Sequence, residues 1–286
     1  MKNFSKLVLG TVQFGLRYGV ANTSGQVTFD AVKEILRAAL DGGVDSLDTA
    51  AGYGESEDVL GRAIAELGVA SRFKIVSKVP RIPAEGDPEK FIRASVENSL
   101  RRLRLETLPL VLFHDEEDMP HLPILRELVG KGLIEAAGVS LDSTDLVTEA
   151  ETIDAVQFPC NPLDHRYDAL IARRAEAGLQ TFFRSVYLQG LLVMPEEKIP
   201  ATLAEVIPWR KKLESFGLPL KELCFRYLLS IPGKNSVLFG VDTPDQLREN
   251  LSLARAGALP PDLYQAVKDA VPLLPDVLIR PSKWRR

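Results

Sequence analysis

Short apolar segments, many of them β-branched, alternate along this 286-residue chain with amphipathic segments of helical period. Loops rich in glycine, proline or aspartate separate the segments, and the same order recurs eight times. Most of the apolar segments are continuous rather than alternating, which is typical of parallel strands buried on both faces. The pattern predicts strands at residues 7–10, 44–48, 74–78, 110–114, 136–140, 155–158, 181–185 and 236–240.

The amphipathic segments predict a helix after each strand, and Ser56, Asp87 and Thr243 are predicted caps at three helix starts. Eight strand–helix units predict a single α/β domain over residues 1–286, folded as a (β/α)8 TIM barrel. The long segment 188–219 predicts an insertion after strand 7, over one barrel mouth. The helices are predicted at residues 29–40, 56–67, 88–103, 122–131, 143–150, 168–177, 220–230 and 244–254.

Composition narrows the class of protein. A formal charge of -4 disfavours nucleic acid as a partner, because nucleic-acid-binding domains usually carry a strongly basic face. No apolar run approaches the roughly 18 residues of a membrane span, and no secretory leader is visible, so a cytoplasmic protein is predicted. Cys160 and Cys224 stand far apart in apolar surroundings, which predicts buried thiols. The three histidines have no metal-ligand spacing, so no metal is predicted.

The chain ends in a basic segment, residues 280–286, which includes Arg280, Lys283 and Trp284. One interpretation is a frayed, solvated end. The other is a C-terminal loop that folds over the barrel mouth and presents cations and an indole to an anionic ligand. The sequence leaves both open.

Chemically active side chains stand at or just after the ends of successive predicted strands. Asp48 ends strand 2, with Tyr53 in the loop that follows, and Lys78, His114 and Ser140 end strands 3, 4 and 5. Active sites of TIM barrels form at this carboxyl end of the strands. We therefore expect these side chains to meet at one small site.

The residue types predict chemistry on an alcohol or carbonyl oxygen. A lysine ammonium near Tyr53 is expected to lower the tyrosine pKa, with Asp48 holding Lys78 charged and oriented. His114 is expected to hydrogen-bond the substrate oxygen or help relay the proton. No nucleophile is paired with a base, so reduction of a carbonyl by a bound hydride donor is the natural reaction.

Four sequence segments resemble the aldo-keto reductase superfamily: LDTAAGYGESE at residues 47–57, SK at 77–78, LFH at 112–114 and GVS at 138–140. The resemblance extends from Leu9 to about Leu253. It implies a (β/α)8 barrel and a nicotinamide dinucleotide, usually NADPH, bound without a Rossmann domain. It also implies a catalytic tetrad of Asp48, Tyr53, Lys78 and His114, with the tyrosine as general acid.

The same similarity implies a set of cofactor residues. Gly10 and Thr11 would lie beside the nicotinamide, Ser140 and Gln157 would bind its carboxamide, and Arg184 could stack on the ring or form a salt bridge. Leu141 stands where the family often has asparagine, which puts one carboxamide contact in doubt. The other implied cofactor residues are Ser185, Leu188, Gly190, Gly240, Asp242, Thr243, Gln246, Glu249 and Asn250.

The preference between the two nicotinamide cofactors is open. NADP-preferring members usually carry a cation in the loop after strand 8 or at the place of Gln246. This chain has Val241 and Asp242 in that loop, and a carboxylate would repel a 2'-phosphate and accept from a free ribose hydroxyl. The resemblance favours NADP(H) and the local chemistry favours NAD(H); NADP(H) is retained as the prediction.

The substrate is predicted only as a small carbonyl compound, with a sugar or sugar phosphate favoured by similarity to a bacterial subgroup linked to polysaccharide metabolism. Two alternative functions stay open: a Schiff-base aldolase that uses Lys78, and a cofactor-sensing subunit similar to potassium-channel β subunits. The oligomeric state is not predicted. Four aromatic residues are candidates to contact substrate: Phe14, Tyr18, Trp209 and Trp284.

Overall fold

A computed structural model describes residues 3–19, 22 and 25–284. Eight parallel strands close into a barrel in chain order, with β8 pairing back to β1. This confirms the predicted (β/α)8 barrel. The strands are β1 (Leu7–Gly10), β2 (Ser46–Asp48), β3 (Lys74–Val79), β4 (Leu110–Phe113), β5 (Ala137–Ser140), β6 (Ala155–Pro159), β7 (Gln180–Arg184) and β8 (Asn235–Gly240).

Helices of the expected amphipathic kind surround the barrel. Asp87 and Thr243 cap their helices as predicted, since each side chain accepts from backbone N–H groups of the first turn. Ser56 instead lies inside its helix, with the hydroxyl turned to the barrel. The helices are α1 (Val12–Gly15), α2 (Phe29–Asp41), α3 (Ser56–Glu66), α4 (Pro88–Leu103), α5 (Leu122–Gly130), α6 (Asp168–Glu176), α7 (Ile207–Glu214), α8 (Leu220–Ser230), α9 (Pro244–Arg255), α10 (Pro261–Asp269) and α11 (Asp276–Ile279).

The predicted helix at 143–150 is wrong. The chain between β5 and β6, all of it described, holds turns and one short 3₁₀ helix, Glu149–Thr152. The side chain of Ser143 accepts from the backbone of Asp145, a local bond that competes with helix formation. The buried Arg174 guanidinium then donates to three carbonyl oxygens of this connection, those of Ala150, Glu151 and Ile153. These carbonyl groups lie at or beyond the end of the predicted helix, where they would have no partner within it, and one buried side chain satisfies them.

The predicted insertion after β7 is present, but little of it lies over the barrel mouth. Only its start, near Gly190, reaches the mouth. The remainder forms short 3₁₀ turns and α7, which pack against α8 and α11 on the outside. After α10 and α11 the chain forms a last 3₁₀ turn, Pro281–Lys283.

Two apolar layers hold the barrel together. The larger lies between strands and helices and includes Cys160 and Cys224, which are buried free thiols as predicted. The smaller comprises Val8, Val76, Leu110, Leu112, Ala136, Ala155 and Phe182. Because side chains of a strand alternate between its faces, Lys78 follows Val76 on one face of β3, and His114 follows Leu112 at the end of β4. On this inward face the residues at the carboxyl ends of the strands, such as Lys78 and His114, are polar. A polar site therefore lies above the apolar interior of the barrel.

Candidate active site

A cleft of about 850 Å³ opens at the carboxyl ends of the strands, within the size range of small-molecule and cofactor sites. Most residues singled out from the sequence meet there. The predicted residues that line it are Gly10, Thr11, Tyr18, Asp48, Tyr53, His114, Ser140, Gln157, Arg184, Ser185, Gly190, Gly240 and Asp242.

Asp48 and Lys78 form a buried ion pair beneath the cleft. Lys78 Nζ donates to Asp48 Oδ1 over 2.5 Å and to the carbonyl of Thr49 over 2.9 Å, and both charged side chains are at most 2% exposed. The other carboxylate oxygen, Oδ2, accepts from Gln157 Nε2 at 2.8 Å. Burial lowers the pKa of Lys78, and attraction to Asp48 opposes that shift. The opposite charges of Asp48 and Lys78 thus stabilise each other, and the hydrogen bonds hold Lys78 in one orientation.

Tyr53 and His114 complete the cluster. The tyrosine Oη lies 3.5 Å from Lys78 Nζ, and its ring meets the imidazole edge-on with centroids 5.4 Å apart. Burial lowers the pKa of His114 to about 3, with the Lys78 and Arg184 charges acting in the same direction. The imidazole is therefore neutral at physiological pH.

The expectation that Lys78 lowers the pKa of Tyr53 is wrong for this arrangement. Burial raises the tyrosine pKa well above its usual value, and the charge of Asp48 adds to the shift. The physical reason is burial of the phenol, which disfavours its charged form, and the negative charge of Asp48 acts in the same direction. The phenol consequently keeps its proton at neutral pH.

A cluster of buried hydroxyl groups supports the loop that carries Tyr53. Ser56 Oγ donates to the carbonyl of Thr11 at 2.7 Å and lies within 3.0 Å of the hydroxyls of Thr11 and Thr49. Gly15 lies against the same loop, because a Cβ there would approach the carbonyl of Tyr53 to 2.0 Å. Sequence reasoning missed the role of Gly15. Its only trace in the sequence is a glycine within the apolar Phe14-Gly15-Leu16 segment.

Of the cofactor residues predicted at and after the end of β7, some line the cleft and one does not. Arg184 lines the cleft and also forms the salt bridge that was the alternative to stacking, with Nη2 3.1 Å from Asp142 Oδ1. Ser185 lines the cleft with φ of 62°. Leu188, at φ of 48°, is fully buried in the core and does not reach the cleft. These left-handed residues bend the chain sharply away from the strand.

After β8 only the first predicted residues reach the cleft. Asp242 lines it, while Asn22 Nδ2 donates to its Oδ1 at 2.9 Å and Gln246 Oε1 accepts from its backbone N–H at 2.7 Å. Thr243 is occupied as the cap of α9. Neither Thr243 nor Gln246 lines the cleft, and the structure does not bring the last two predicted residues there: Glu249 pairs with Lys221 on α8, and Asn250 is buried behind the cleft-lining Tyr187.

Of the four aromatic substrate candidates, only Tyr18 lines the cleft, where it is 39% exposed. Phe14 has no exposed surface and belongs to the apolar core, so it cannot contact a ligand. Trp209, on α7, packs against the outer side of that core. Trp284 also packs against the core, with its indole N–H enclosed and without a hydrogen-bond partner among the described residues.

The C-terminal segment is folded over the cleft, so the interpretation of a frayed end is wrong for residues 280–284. Arg280, Ser282 and Lys283 line the cleft. Asp142 holds the first two through its Oδ2, with Ser282 Oγ at 2.6 Å and Arg280 Nη2 at 3.1 Å. Residues 285 and 286 lie outside the described residues. Sequence reasoning missed Asp142, which pairs with groups about half the chain away.

Acidic groups from the loop after β4 also line the cleft. Asp115, Glu116 and Glu117 line it, and Arg81 pairs with the first and the last of these. Glu116 accepts from the backbone N–H groups of Asp142 and Ser143.

Among the described residues, no group of acidic, histidine or cysteine side chains is arranged to hold a metal ion. The helices of the described part are all too short or too polar to span a membrane.

A parallel barrel with a buried Asp–Lys pair beneath a tyrosine and a histidine defines a class of oxidoreductase, and comparison with known proteins identifies the family. The Aldo/keto reductase family model matches residues 6–271. Aldo-keto reductase YhdN of Bacillus subtilis is 26% identical over 253 residues, which cover 75% of this chain and 76% of the relative. D-arabinose 1-dehydrogenase of Saccharomyces cerevisiae is 28% identical over 250 residues, which cover 76% and 74%.

Among solved structures, the holo form of aldo-keto reductase AKR11C1 from Bacillus halodurans has a TM-score of 0.78 at 22% identity, covering 95% of this chain and 93% of that chain. That likeness concerns the fold. The chain belongs to the aldo/keto reductase family. It is an NAD(P)-dependent oxidoreductase.

Proposed function

We propose that this protein reduces an aldehyde or ketone, sugar-derived in its natural reaction, to the alcohol, with Tyr53 as the general acid. The observation that carries the proposal is the meeting of Tyr53 with His114 and the Asp48–Lys78 pair in one cleft, with Tyr53 Oη 3.5 Å from Lys78 Nζ. A proton donor, a neutral hydrogen-bonding group and a fixed cation are the groups that protonation of a carbonyl oxygen requires.

Each side chain has a distinct part in the proposed reaction. Tyr53 holds its proton in the resting enzyme, because burial raises its pKa, and gives that proton to the substrate oxygen. Lys78 then stabilises the phenolate, while Asp48 keeps the ammonium in place. His114, which is neutral, orients the carbonyl oxygen by a hydrogen bond.

The residues of the cleft fit a nicotinamide dinucleotide. A buried amide oxygen, Gln13 Oε1, has no partner in the described structure, and the Gln13 side chain occupies the space that a Cβ on Gly240 would need. Gly10, Ser140 and Gln157 line the same cleft as Tyr53, and in this proposal they hold the nicotinamide end. The reduced cofactor supplies the hydride when bound.

For the cofactor we propose NADP(H), which the family resemblance favours, with NAD(H) as the second candidate. The observation that favours NAD(H) is the carboxylate of Asp242 on the cleft wall, where it would repel a 2'-phosphate. The hydrogen bonds to this carboxylate come from the uncharged amides of Asn22 and Gln246.

A sugar-derived substrate is supported by the polar character of the cleft. Asp115, Glu117 and Lys283 offer acceptors and donors around the opening, and Tyr18 adds a partly apolar surface. Such a mixture suits a polyhydroxylated molecule. The Schiff-base alternative has less support, because Nζ of Lys78 is enclosed by Asp48, Thr49 and Tyr53.

The test combines binding and turnover. Fluorescence titration with NADPH and, separately, NADH should give saturable binding and show which cofactor is preferred. The Tyr53→Phe variant should lose about 10²–10⁴-fold in kcat with glyceraldehyde, because a positioned general acid contributes that much. Its dissociation constant for the cofactor should be unchanged.

Three results would count against the proposal. Retained turnover in Tyr53→Phe would remove the general-acid role. Trapping of a carbonyl substrate on Lys78 by borohydride would favour the aldolase. Cofactor binding by the wild-type protein without turnover of any aldehyde would favour a cofactor-sensing subunit.

A further inference from the structure

We propose that Asp142 is a positioning residue that ties the C-terminal wall of the cleft, residues 280–284, to Arg184 on the cofactor side. Its two carboxylate oxygens are divided between the two regions. Oδ1 accepts from Arg184 Nη2 at 3.1 Å, and Oδ2 accepts from Ser282 Oγ at 2.6 Å and Arg280 Nη2 at 3.1 Å. The part of this proposal that concerns cofactor binding rests on the proposed function.

The backbone of Asp142 is held by hydrogen bonds of its own. The N–H of Asp142 donates to Glu116 Oε2 at 2.7 Å, and its carbonyl accepts from Arg166 Nη1 at 3.0 Å. Neither Glu116 nor Arg166 belongs to the C-terminal wall. The carboxylate therefore stays where it is when the wall moves, and it serves as an anchor for both Arg184 and the wall.

The carboxylate is also permanently charged. Its burial raises the pKa, but attraction to Arg184 and bonds from Ser282 and Arg280 outweigh that effect and bring the pKa of Asp142 to about 2. Charge-assisted hydrogen bonds of this kind are stronger than neutral ones. The tie accordingly persists over the whole physiological pH range.

The wall has few other polar attachments. Arg280 Nη1 donates to Asp276 Oδ2 at 2.6 Å, but Asp276 lies four residues earlier on the same terminal segment. Leu278 and Ile279, just before the wall, are buried in the core and hold α11 without help from Asp142. Within the wall Pro281 is buried and Trp284 packs against the core, so loss of Asp142 should loosen residues 280–284 and expose Trp284 further, while the preceding helix stays in place.

Arg184 depends on the same carboxylate. Its guanidinium otherwise donates to the carbonyl of Leu141 at 3.0 Å and makes a long contact of 3.5 Å to Ser185 Oγ. Among the described residues, Asp142 is the only acidic group within ion-pair distance of Arg184. Removing it frees the guanidinium to move within the cleft, which should weaken cofactor binding if Arg184 lies against the nicotinamide.

The experiment follows the wall and the cofactor separately. The chain has two tryptophans, so a Trp209→Phe background leaves Trp284, in the wall, as the only indole. Acrylamide quenching then reports exposure of Trp284 without any ligand. Titration with NADPH and NADH in the same background gives the cofactor dissociation constants, and thermal melts check that each variant is folded.

Asp142→Ala should change both readouts: a severalfold larger quenching constant and roughly a tenfold weaker cofactor affinity, as expected for a lost hydrogen bond to a charged group. Asp142→Asn, which keeps the size of the side chain, should change both in the same direction. Arg280→Ala should expose Trp284 with a smaller change in affinity. Asp276→Asn is the matched control, because it removes the other carboxylate from Arg280, and it should change neither.

The possible results distinguish failure of the contact with the wall, failure of the effect on the cofactor side and failure of the proposed function. Unchanged quenching in folded Asp142→Ala overturns the tie to the wall, whatever happens to activity. Exposed Trp284 with unchanged cofactor affinity overturns the tie to the cofactor side. If the background protein binds neither NADPH nor NADH, the proposed function fails, while the quenching result still decides whether Asp142 holds the wall.

Discussion

The floor and the wall of the cleft use charge in different ways. In the floor, defined here as Asp48, Tyr53, Lys78 and His114, the charged side chains form a single pair that is at most 2% exposed. In the wall, Asp142 shares its carboxylate among three partners, and its side chain and that of Arg184 are 28% and 24% exposed. The floor is a buried pair, whereas Asp142 and Arg184, which connect to the wall, are each about one quarter exposed to solvent.

This difference sets how each region responds to change. A buried charge that loses its partner is strongly destabilising, because the remaining ion has neither water nor a counter-charge. A partly exposed charge is screened by solvent, and its loss costs less. We therefore expect substitutions in the floor to affect folding and chemistry together, whereas those in the wall should affect mainly local order and binding.

The largest effect is expected from breaking the floor pair. Lys78→Met leaves the Asp48 carboxylate buried with only the amide of Gln157 as a donor, and it should lower the free energy of unfolding by about 3–5 kcal/mol. Turnover should fall by about 10²–10⁴-fold, since the phenolate of Tyr53 loses its cation. Urea denaturation and steady-state kinetics measure the two quantities.

The double variant Asp48→Asn with Lys78→Met separates the two consequences. Because no unpaired charge remains, most of the stability should return, whereas turnover should not. Recovery of turnover would mean that the pair serves only the fold. Failure to recover stability would mean that burial of the charge is not the dominant cost.

A smaller loss of activity and stability is expected from a substitution at Gly15, in the segment after β1 that packs against the Tyr53 loop. A Cβ at residue 15 would approach the Tyr53 carbonyl to 2.0 Å and the Ser56 N–H to 2.3 Å, so Gly15→Ala must displace the loop that carries the phenol. Misplacement of a catalytic group by about 1 Å costs on the order of 10²-fold in rate. Overpacking should also cost about 1–3 kcal/mol of stability.

Gly130→Ala, near the end of α5, is the matched control. A Cβ there meets no atom within 4 Å, so the substitution should leave kcat unchanged and raise stability by up to about 1 kcal/mol. If the two alanine variants behaved alike, close contact of Gly15 with the Tyr53 loop would not be what positions the phenol.

The floor could be predicted from the sequence because its residues follow their strands directly. Once a parallel barrel is inferred, Asp48, Lys78 and His114 must meet, since the carboxyl ends of all strands surround one opening. Tyr53, five residues after Asp48, has little room to be elsewhere. The direction of the Tyr53 pKa shift could not be predicted, because it is set mainly by how deeply the phenol is buried.

A C-terminal loop over the barrel mouth is one of the two interpretations that the sequence leaves open, but the bonds that hold this wall could not be predicted, for a reason of chain distance. Asp142 bonds to Arg280 and Ser282, which lie 138 and 140 residues away, and nothing in the local pattern couples these segments. The missing helix after β5 has a local cause, since the Ser143 side chain accepts from the backbone of Asp145. The carbonyl groups at the end of that connection are bound by Arg174, which comes from α6.

Acid should distinguish the two regions through their separate titration ranges. Burial lowers the pKa of His114 from 6.5 to about 3, so the unfolded chain binds one proton more than the folded chain between these values. Stability that depends on His114 is accordingly lost as the pH falls from about 6.5. In the wall, Arg184, Ser282 and Arg280 outweigh burial and lower the pKa of Asp142 from 3.8 to about 2, so its contribution is lost only below about pH 3.8.

The midpoints of urea denaturation, measured between pH 7 and pH 4.5, therefore respond to His114 in the floor and not to Asp142. Over that range the His114→Asn variant should lose less stability with falling pH than the wild type does, whereas the Asp142→Asn variant should run parallel to the wild type. A flattened profile in Asp142→Asn would place a wall group among those titrating near neutrality. A His114→Asn profile parallel to the wild type would mean that the imidazole in the floor is solvated well enough to take up its proton, and the neutral hydrogen-bonding role assigned to it would then fail.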